Sequence, residues 1–179
     1  MPIYTFGGVY PKFDTSVFIA SSANLIGDVE VGADSSLWFN VTVRGDVNYI
    51  RIGKSTNIQD GSVIHVTTHT HPTIIGNSVT IGHNVTLHGC TLQDLCLIGM
   101  GAVVLDGAVV ERQSFVAAGC LVPPGKVVPS GTLFAGSPGS VKRQLTEDEM
   151  KFFEKSAINY VKLKNIYLSN PSACSSNLI

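Results

Sequence analysis

Aliphatic positions recur along this chain every six residues. From Ile19 they return at Leu25, Val31, Leu37 and Val43. The phase then slips and resumes at Ile52, Ile58 and Ile64. It slips again before Ile75, Ile81 and Leu87, and once more before Ile98, Val104, Val110, Val116, Val122, Val128 and Phe134. Four places after many of these stands a short residue, as at Ala23, Ser35, Thr56, Ser62, Ala102, Ala108, Ser114, Cys120 and Thr132. Gly directly follows the aliphatic residue at Gly32, Gly53, Gly76, Gly82 and Gly99. A period of six matches neither the amphipathic helix nor a long alternating strand. It suits very short strands joined by tight turns, with the aliphatic residue inward and the short residue in a corner. Val and Ile together number 35 against 13 Leu, which favours strand over helix. Stacked coils of this kind bury a continuous aliphatic column while backbone hydrogen bonds run between coils. The pattern predicts an all-β solenoid, a parallel β-helix of roughly seven coils at three hexapeptides per coil.

The domain reading is a β-helix over residues 1–141, with a short lead-in before about residue 14. Phase slips at 48–51, 66–74 and 91–97 mark loops or irregular corners, where solenoids commonly carry function. Beyond residue 140 the composition changes, and six of the twelve basic residues lie there. Thr146 with Glu149 is a capping box, and Met150, Phe153, Ala157 and Val161 follow at helical spacing. Glu147 and Lys151 form a favourable i,i+4 pair. Residues 142–168 are read as a C-terminal segment packing a helix from about Glu147 to Leu168 on the β-helix, and 169–179 as a flexible tail.

Composition narrows the function. Only 14% of residues are charged, and the net charge is −1. That leaves no general field for nucleic acid or an acidic membrane. No apolar run is long enough to span a bilayer, and Met1–Tyr10 lacks a signal-peptide pattern. Cys90, Cys96, Cys120 and Cys174 show no CxxC pairing and read as reduced thiols of a cytoplasmic protein. From Gly61 to Gln93, 33 residues carry no Asp, Glu, Lys or Arg, yet hold all five histidines: His65, His69, His71, His83 and His88. Uncharged surface of that extent suits coverage by a second subunit.

Three neutral imidazoles are the ligand set of a catalytic zinc site with one open position. Spacing alone leaves open which three of the five would bind, and an isolated exposed histidine is ordinarily surface. His65 lies 18 residues, one nominal coil, before His83. His69 and His71 sit in a loop-like Thr-Thr-His-Thr-His-Pro run. Arg44, Asp46 and Asp60 interrupt strand-like segments and read as an interfacial ion-pair set rather than reacting groups. Gln59 could orient a bound water or hydroxide.

The run Arg44-Gly-Asp-Val-Asn-Tyr-Ile-Arg-Ile-Gly53 resembles the gamma-class carbonic anhydrase family. So do Thr56-Asn-Ile-Gln-Asp-Gly-Ser-Val-Ile-His65 and Ile81-Gly-His-Asn-Val-Thr-Leu-His-Gly-Cys90. Ile98-Gly-Met-Gly-Ala102 and Phe134-Ala-Gly-Ser-Pro138 extend the likeness, which covers about residues 8–168. The resemblance implies a left-handed β-helix, a homotrimer, and metal sites between subunits. His65 and His88 of one subunit and His83 of its neighbour would be the ligands. Arg44 and Asp46 would resemble the family's interfacial pair, Gln59 would sit beside the metal-bound solvent, and Tyr160 would match an active-site tyrosine. The implied reaction is reversible hydration of carbon dioxide to bicarbonate by a metal-bound hydroxide, a carbonate dehydratase-type lyase. Zn2+ is expected, with Fe2+ or Co2+ able to occupy the same imidazoles. Val47 stands where the best-characterised pattern has a glutamate, and the loop after His65 carries no acid. This is the shorter type, and the missing carboxylates argue against rapid hydration. His69 or His71 could then carry the departing proton. Two other readings remain. One is a hexapeptide-repeat acyltransferase using acyl-coenzyme A. The other is a non-catalytic metal-binding or assembly protein of the same fold.

Overall fold

The computed structural model describes residues 3–170. Two-residue strands recur at nearly every repeat and stack in parallel, building the expected parallel β-helix. One face carries Phe18–Ile19, Ser36–Leu37, Asn57–Ile58, Thr80–Ile81, Leu97–Ile98 and Phe115–Val116, each paired in parallel with the next, and ends on Thr132–Gly136. The long strands Asn24–Val31 and Thr42–Ile52 cross a corner and belong to both other faces. Val63–His65, Thr86–His88 and Val103–Val104 continue the second face. Thr73–Ile75, Thr91–Leu92 and Val109–Val110 continue the third.

The registers explain the phase slips. Phe18 pairs with Ser36, Ser36 with Asn57, Asn57 with Thr80 and Thr80 with Leu97. Successive coils therefore take 18, 21, 23 and 17 residues. The first insertion is absorbed as a register shift inside Thr42–Ile52. The second is the loop after His65, closed by a bridge between Thr67 and His71. The third slip is a deletion and not a loop: Thr91–Leu92 is a regular strand, and Leu92 takes the inward position. Because of the second insertion His65 stacks on His88, 23 residues on, and not on His83.

The inward residues form three columns. Leu25, Val43, Ile64, Leu87 and Val104 are each fully buried on the second face. Each such side chain removed from water contributes about 1.5–3 kcal/mol. Corner hydroxyls knit the coils together. Ser35 Oγ donates to the Gly53 carbonyl at 2.7 Å, Thr56 Oγ1 to Gly76 at 2.8 Å and Ser62 Oγ to Gly82 at 2.9 Å. Thr56 Oγ1 also accepts from the Val79 N–H at 3.1 Å. Where the short corner residue is Ser35, Thr56 or Ser62, its hydroxyl fits inside and serves two backbone groups.

Gly139–Gln144 returns antiparallel along Thr132–Gly136 and covers the last coil's edge. Residues 142–144 thus belong to a strand, where the sequence reading placed them with the helical segment. Helix α1 spans Glu147–Ser169, opened by the Thr146–Glu149 capping box, with Glu147 and Lys151 3.7 Å apart. It buries Phe153, Ala157 and Lys164. Lys164 is only 1% exposed and pairs with Asp34 at 2.9 Å. Tyr160 and Tyr167 stack edge-on against Trp38 at 5.7 and 5.2 Å. Ser169 ends the helix; the tail expected beyond Asn170 lies outside the described residues.

Two predictions follow from these contacts. Thr56→Val keeps the shape but strands the Val79 N–H and the Gly76 carbonyl; denaturant unfolding is expected to show a loss of about 1–3 kcal/mol. Glu149 accepts both Arg143 N–H groups at 2.7 and 2.8 Å, and chiefly this hydrogen bonding pulls its carboxyl down to about 2. Its stabilisation is therefore complete above its ordinary value of 4.5 and is lost as pH falls through about 2. Glu149→Gln is expected to flatten the acid-unfolding curve between those values, followed by the helical circular dichroism signal.

Candidate functional site

The strands place the histidines on two corners of the prism. His65 ends Val63–His65 and His88 ends Thr86–His88, so parallel pairing stacks them at one corner. His83 lies three residues before Thr86–His88, at the other end of the same face. His65 Nδ1 and His88 Nε2 are 3.1 Å apart. His65 Nε2 meets Asp46 Oδ1 at 3.1 Å, and His88 Nδ1 meets Asp106 Oδ1 at 2.6 Å. His83 Nδ1 meets Asp60 Oδ2 at 2.9 Å. Every one of the three histidines thus has an aspartate of its own.

Those aspartates decide the tautomers. An ionised carboxylate only accepts, so the ring nitrogen facing it carries the proton. In neutral rings the remaining nitrogens, Nδ1 of His65 and Nε2 of His88, then face each other with lone pairs at 3.1 Å, a repulsion that a cation held by both relieves. Two ligands of a tetrahedral zinc ion at about 2.0–2.1 Å sit at about this separation. The donor set therefore fits a divalent ion. Among the described residues no group of three or more His, Cys, Asp or Glu within the chain is placed to hold one. His83 is not part of the His65–His88 cluster.

Arg44 donates to Asp46 at 2.5 Å, an ion pair within one chain. Burial pushes the Asp46 carboxyl up, but hydrogen bonds from Arg44 and His65 outweigh it and hold it below the usual range. Asp60 faces His83 and not Arg44. Gln59 and Tyr160 line one cleft with His83, of about 370 Å³, walled by Leu97, Ile98, Met100 and Phe115. Gln59 Nε2 donates to Asn57 Oδ1 at 3.1 Å, and Asn57 Nδ2 to Thr80 Oγ1 at 3.0 Å. Thr80 Oγ1 in turn meets Ser156 Oγ of α1 at 3.1 Å. This chain fixes the Gln59 amide and leaves its carbonyl oxygen as the free group. Tyr160 is half-buried, and burial first, then Asp60, raises its hydroxyl pKa. His71 rests beside Gly89 and Gly107, near Asp106. His69 lines a separate hollow with Asp46, Asn48 and Tyr49.

Sequence reasoning missed Asp106, Thr67, Asn57, Thr80 and Ser156. Asp106 had a signal, for it lies 18 residues, one regular coil, after His88. Ser156 had none, since helix spacing does not say which coil the helix crosses.

No family model matches the chain. Among curated proteins it is 42% identical to a carbonic anhydrase of Geobacillus kaustophilus, over 92% of this chain and 90% of that protein. The chain belongs to the gamma-class carbonic anhydrase-like family of hexapeptide-repeat proteins. It is also 49% identical to gamma carbonic anhydrase 1, mitochondrial, of Arabidopsis thaliana over 86% of this chain. The chain spans 58% of that plant relative's length. Among solved structures, a hexapeptide transferase family protein of Anaplasma phagocytophilum matches this family member with a TM-score of 0.90 at 44% identity, covering 93% of this chain and 98% of the other.

Proposed function

We propose that the chain is a subunit of a gamma-class carbonic anhydrase that interconverts carbon dioxide and bicarbonate, its sites completed between copies. One observation carries the reading: His65 and His88 turn ring nitrogens toward each other at 3.1 Å while each directs its other nitrogen at an aspartate. His65 and His88 of one subunit and His83 of the next would hold the ion, zinc by preference, with iron(II) or cobalt(II) as chemically equivalent guests. When bound, the ion supplies Lewis acidity that makes hydroxide available near neutral pH.

The chain's own residues do the remaining work. Asp46, Asp60 and Asp106 fix the three imidazoles, and Arg44 holds Asp46. The Gln59 carbonyl, oriented through the Asn57 contact, would accept a hydrogen bond from the attacking water and so orient its lone pair. Tyr160 closes the cleft from the helix side. Leu97, Ile98, Met100 and Phe115 exclude water and suit apolar carbon dioxide. His71, over the Asp106 corner, is the better placed of the two loop histidines to carry the proton away, with His69 on the Asp46 side.

The assembly in this reading is a homotrimer. His65–His88 and His83 occupy different corners, so joining them makes a heterologous contact that must close into a ring. A three-sided prism with contacts on two of its corners suits closure at three. Met100 and Phe152, 60% and 56% exposed at the cleft, are apolar groups for a neighbour to cover. Among the described residues no helix is long and apolar enough to cross a membrane. Cys90 and Cys96 are free and buried, with burial pushing both thiols up to about 12, which suits a reducing cytoplasm.

The transferase-named structural neighbour supports the second reading, acyl transfer from acyl-coenzyme A. Metal analysis coupled to stopped-flow hydration separates them. The expected result is one ion per chain, hydration that disappears on chelation, and loss of both in His83→Ala with the ring still formed. Acetyl transfer by metal-free protein, without hydration, would overturn the reading in favour of the transferase. Stoichiometric metal without hydration would leave the metal-binding assembly protein.

A further inference from the structure

Asp106 stands outside every motif that carries the family resemblance, yet it makes the shortest contact to an imidazole nitrogen of the three histidines. It sits at the corner after Val103–Val104, one coil beyond His88. Its two oxygens are divided. Oδ1 takes the His88 Nδ1 proton at 2.6 Å, and Oδ2 accepts from Thr67 Oγ1 at 3.0 Å. Thr67 opens the loop after His65 and is held across it by the bridge to His71. The corner below is kept clear for this approach: a Cβ on Gly89 would fall on Asp106 Oδ1 and on the His71 side chain. The five-residue insertion and the aspartate therefore meet at one point, beside one histidine.

We propose that Asp106 is a positioning residue that sets the tautomer and ring orientation of His88 and ties the loop of residues 66–72 to it. This rests on the metal-site reading above, in which His88 binds through Nε2. With Nδ1–H held by a carboxylate, Nε2 is the nitrogen left to face an ion, and the ring is held in that orientation. Asp46 does the corresponding service for His65 through the opposite nitrogen, so the two rings meet Nδ1 to Nε2. Thr67 fills the second Asp106 oxygen and stops the carboxylate rotating away. Asp106 touches neither the cleft nor a reacting atom, and it acts only through His88.

The test has two arms on purified full-length protein. In the metal-free wild type at mildly alkaline pH, two-bond 15N–1H spectra are expected to show His88 as the Nδ1–H tautomer. Asp106→Ala is expected to abolish that preference, while the thermal midpoint moves little. Zinc and cobalt(II) titrations are then expected to show about 10–100-fold weaker binding in Asp106→Ala. Asp106→Asn, which keeps an acceptor oxygen, is expected to fall between, and the cobalt absorption bands are expected to shift in both. Thr67→Val is expected to weaken binding less than Asp106→Ala. An Nε2–H tautomer in the wild type would overturn the inference, as would unaltered metal affinity and cobalt bands in Asp106→Ala. Wild type that shows the Nδ1–H tautomer but binds no metal would instead overturn the metal-site reading and, with it, the role of Asp106 toward an ion.

Discussion

Parallel pairing between successive coils is the constraint on which the rest depends. A strand of two residues cannot hold its place alone; its register comes from the strands above and below it. The fully buried column Leu25, Val43, Ile64, Leu87 and Val104 sets that register, because a slip by one residue would turn each aliphatic side chain to solvent. Corner hydroxyls such as Thr56 and Ser62 reinforce it by bonding backbone groups of the adjacent coil. The same register puts His88 directly over His65. The site is a by-product of coil stacking, and its precision is that of the core.

Charge is sparing in this protein and is spent in pairs. The 33-residue stretch without formal charge holds every histidine, and the aspartates that serve them come from outside it. Asp46 and Asp60 arrive from earlier coils and Asp106 from a later one. A carboxylate at each ring fixes one nitrogen and frees the other, which a metal-binding imidazole requires. The cleft beside His83 remains apolar, while Gln59 reaches it through a chain of neutral hydrogen bonds ending at Ser156 on α1. Docking of the helix and orientation of Gln59 are thus parts of one arrangement.

Much of the fold was legible in the sequence because it repeats. Inward positions, short corner residues, the capping box at Thr146 and the helix start are local signals, each read from a few neighbours. Quantities that depend on coil length were not legible. A nominal 18-residue coil would stack His65 on His83, but the five-residue insertion before Ile75 lengthens that coil to 23 and brings His88 there instead. The deletion before Leu92 resembled a loop because sequence phase does not distinguish a gain from a loss. Lys164 continues the buried stripe of Phe153 and Ala157, and its pairing with Asp34 from an early coil is a tertiary contact that helix spacing does not reveal. The three histidines carried by the family motifs fall on two separate corners, and this separation is what asks for a second copy.

That shared site is the central claim, and subunit complementation tests it most directly. His83→Ala and His88→Ala chains, each metal-free alone, are unfolded together in equal amounts, refolded and assayed for bound zinc. A site built between copies predicts that about one interface in four regains its full ligand set, since an intact His65–His88 pair then meets an intact His83 in a mixed ring. Zinc content that stays at the level of the separate variants, in rings shown to be mixed, would contradict it.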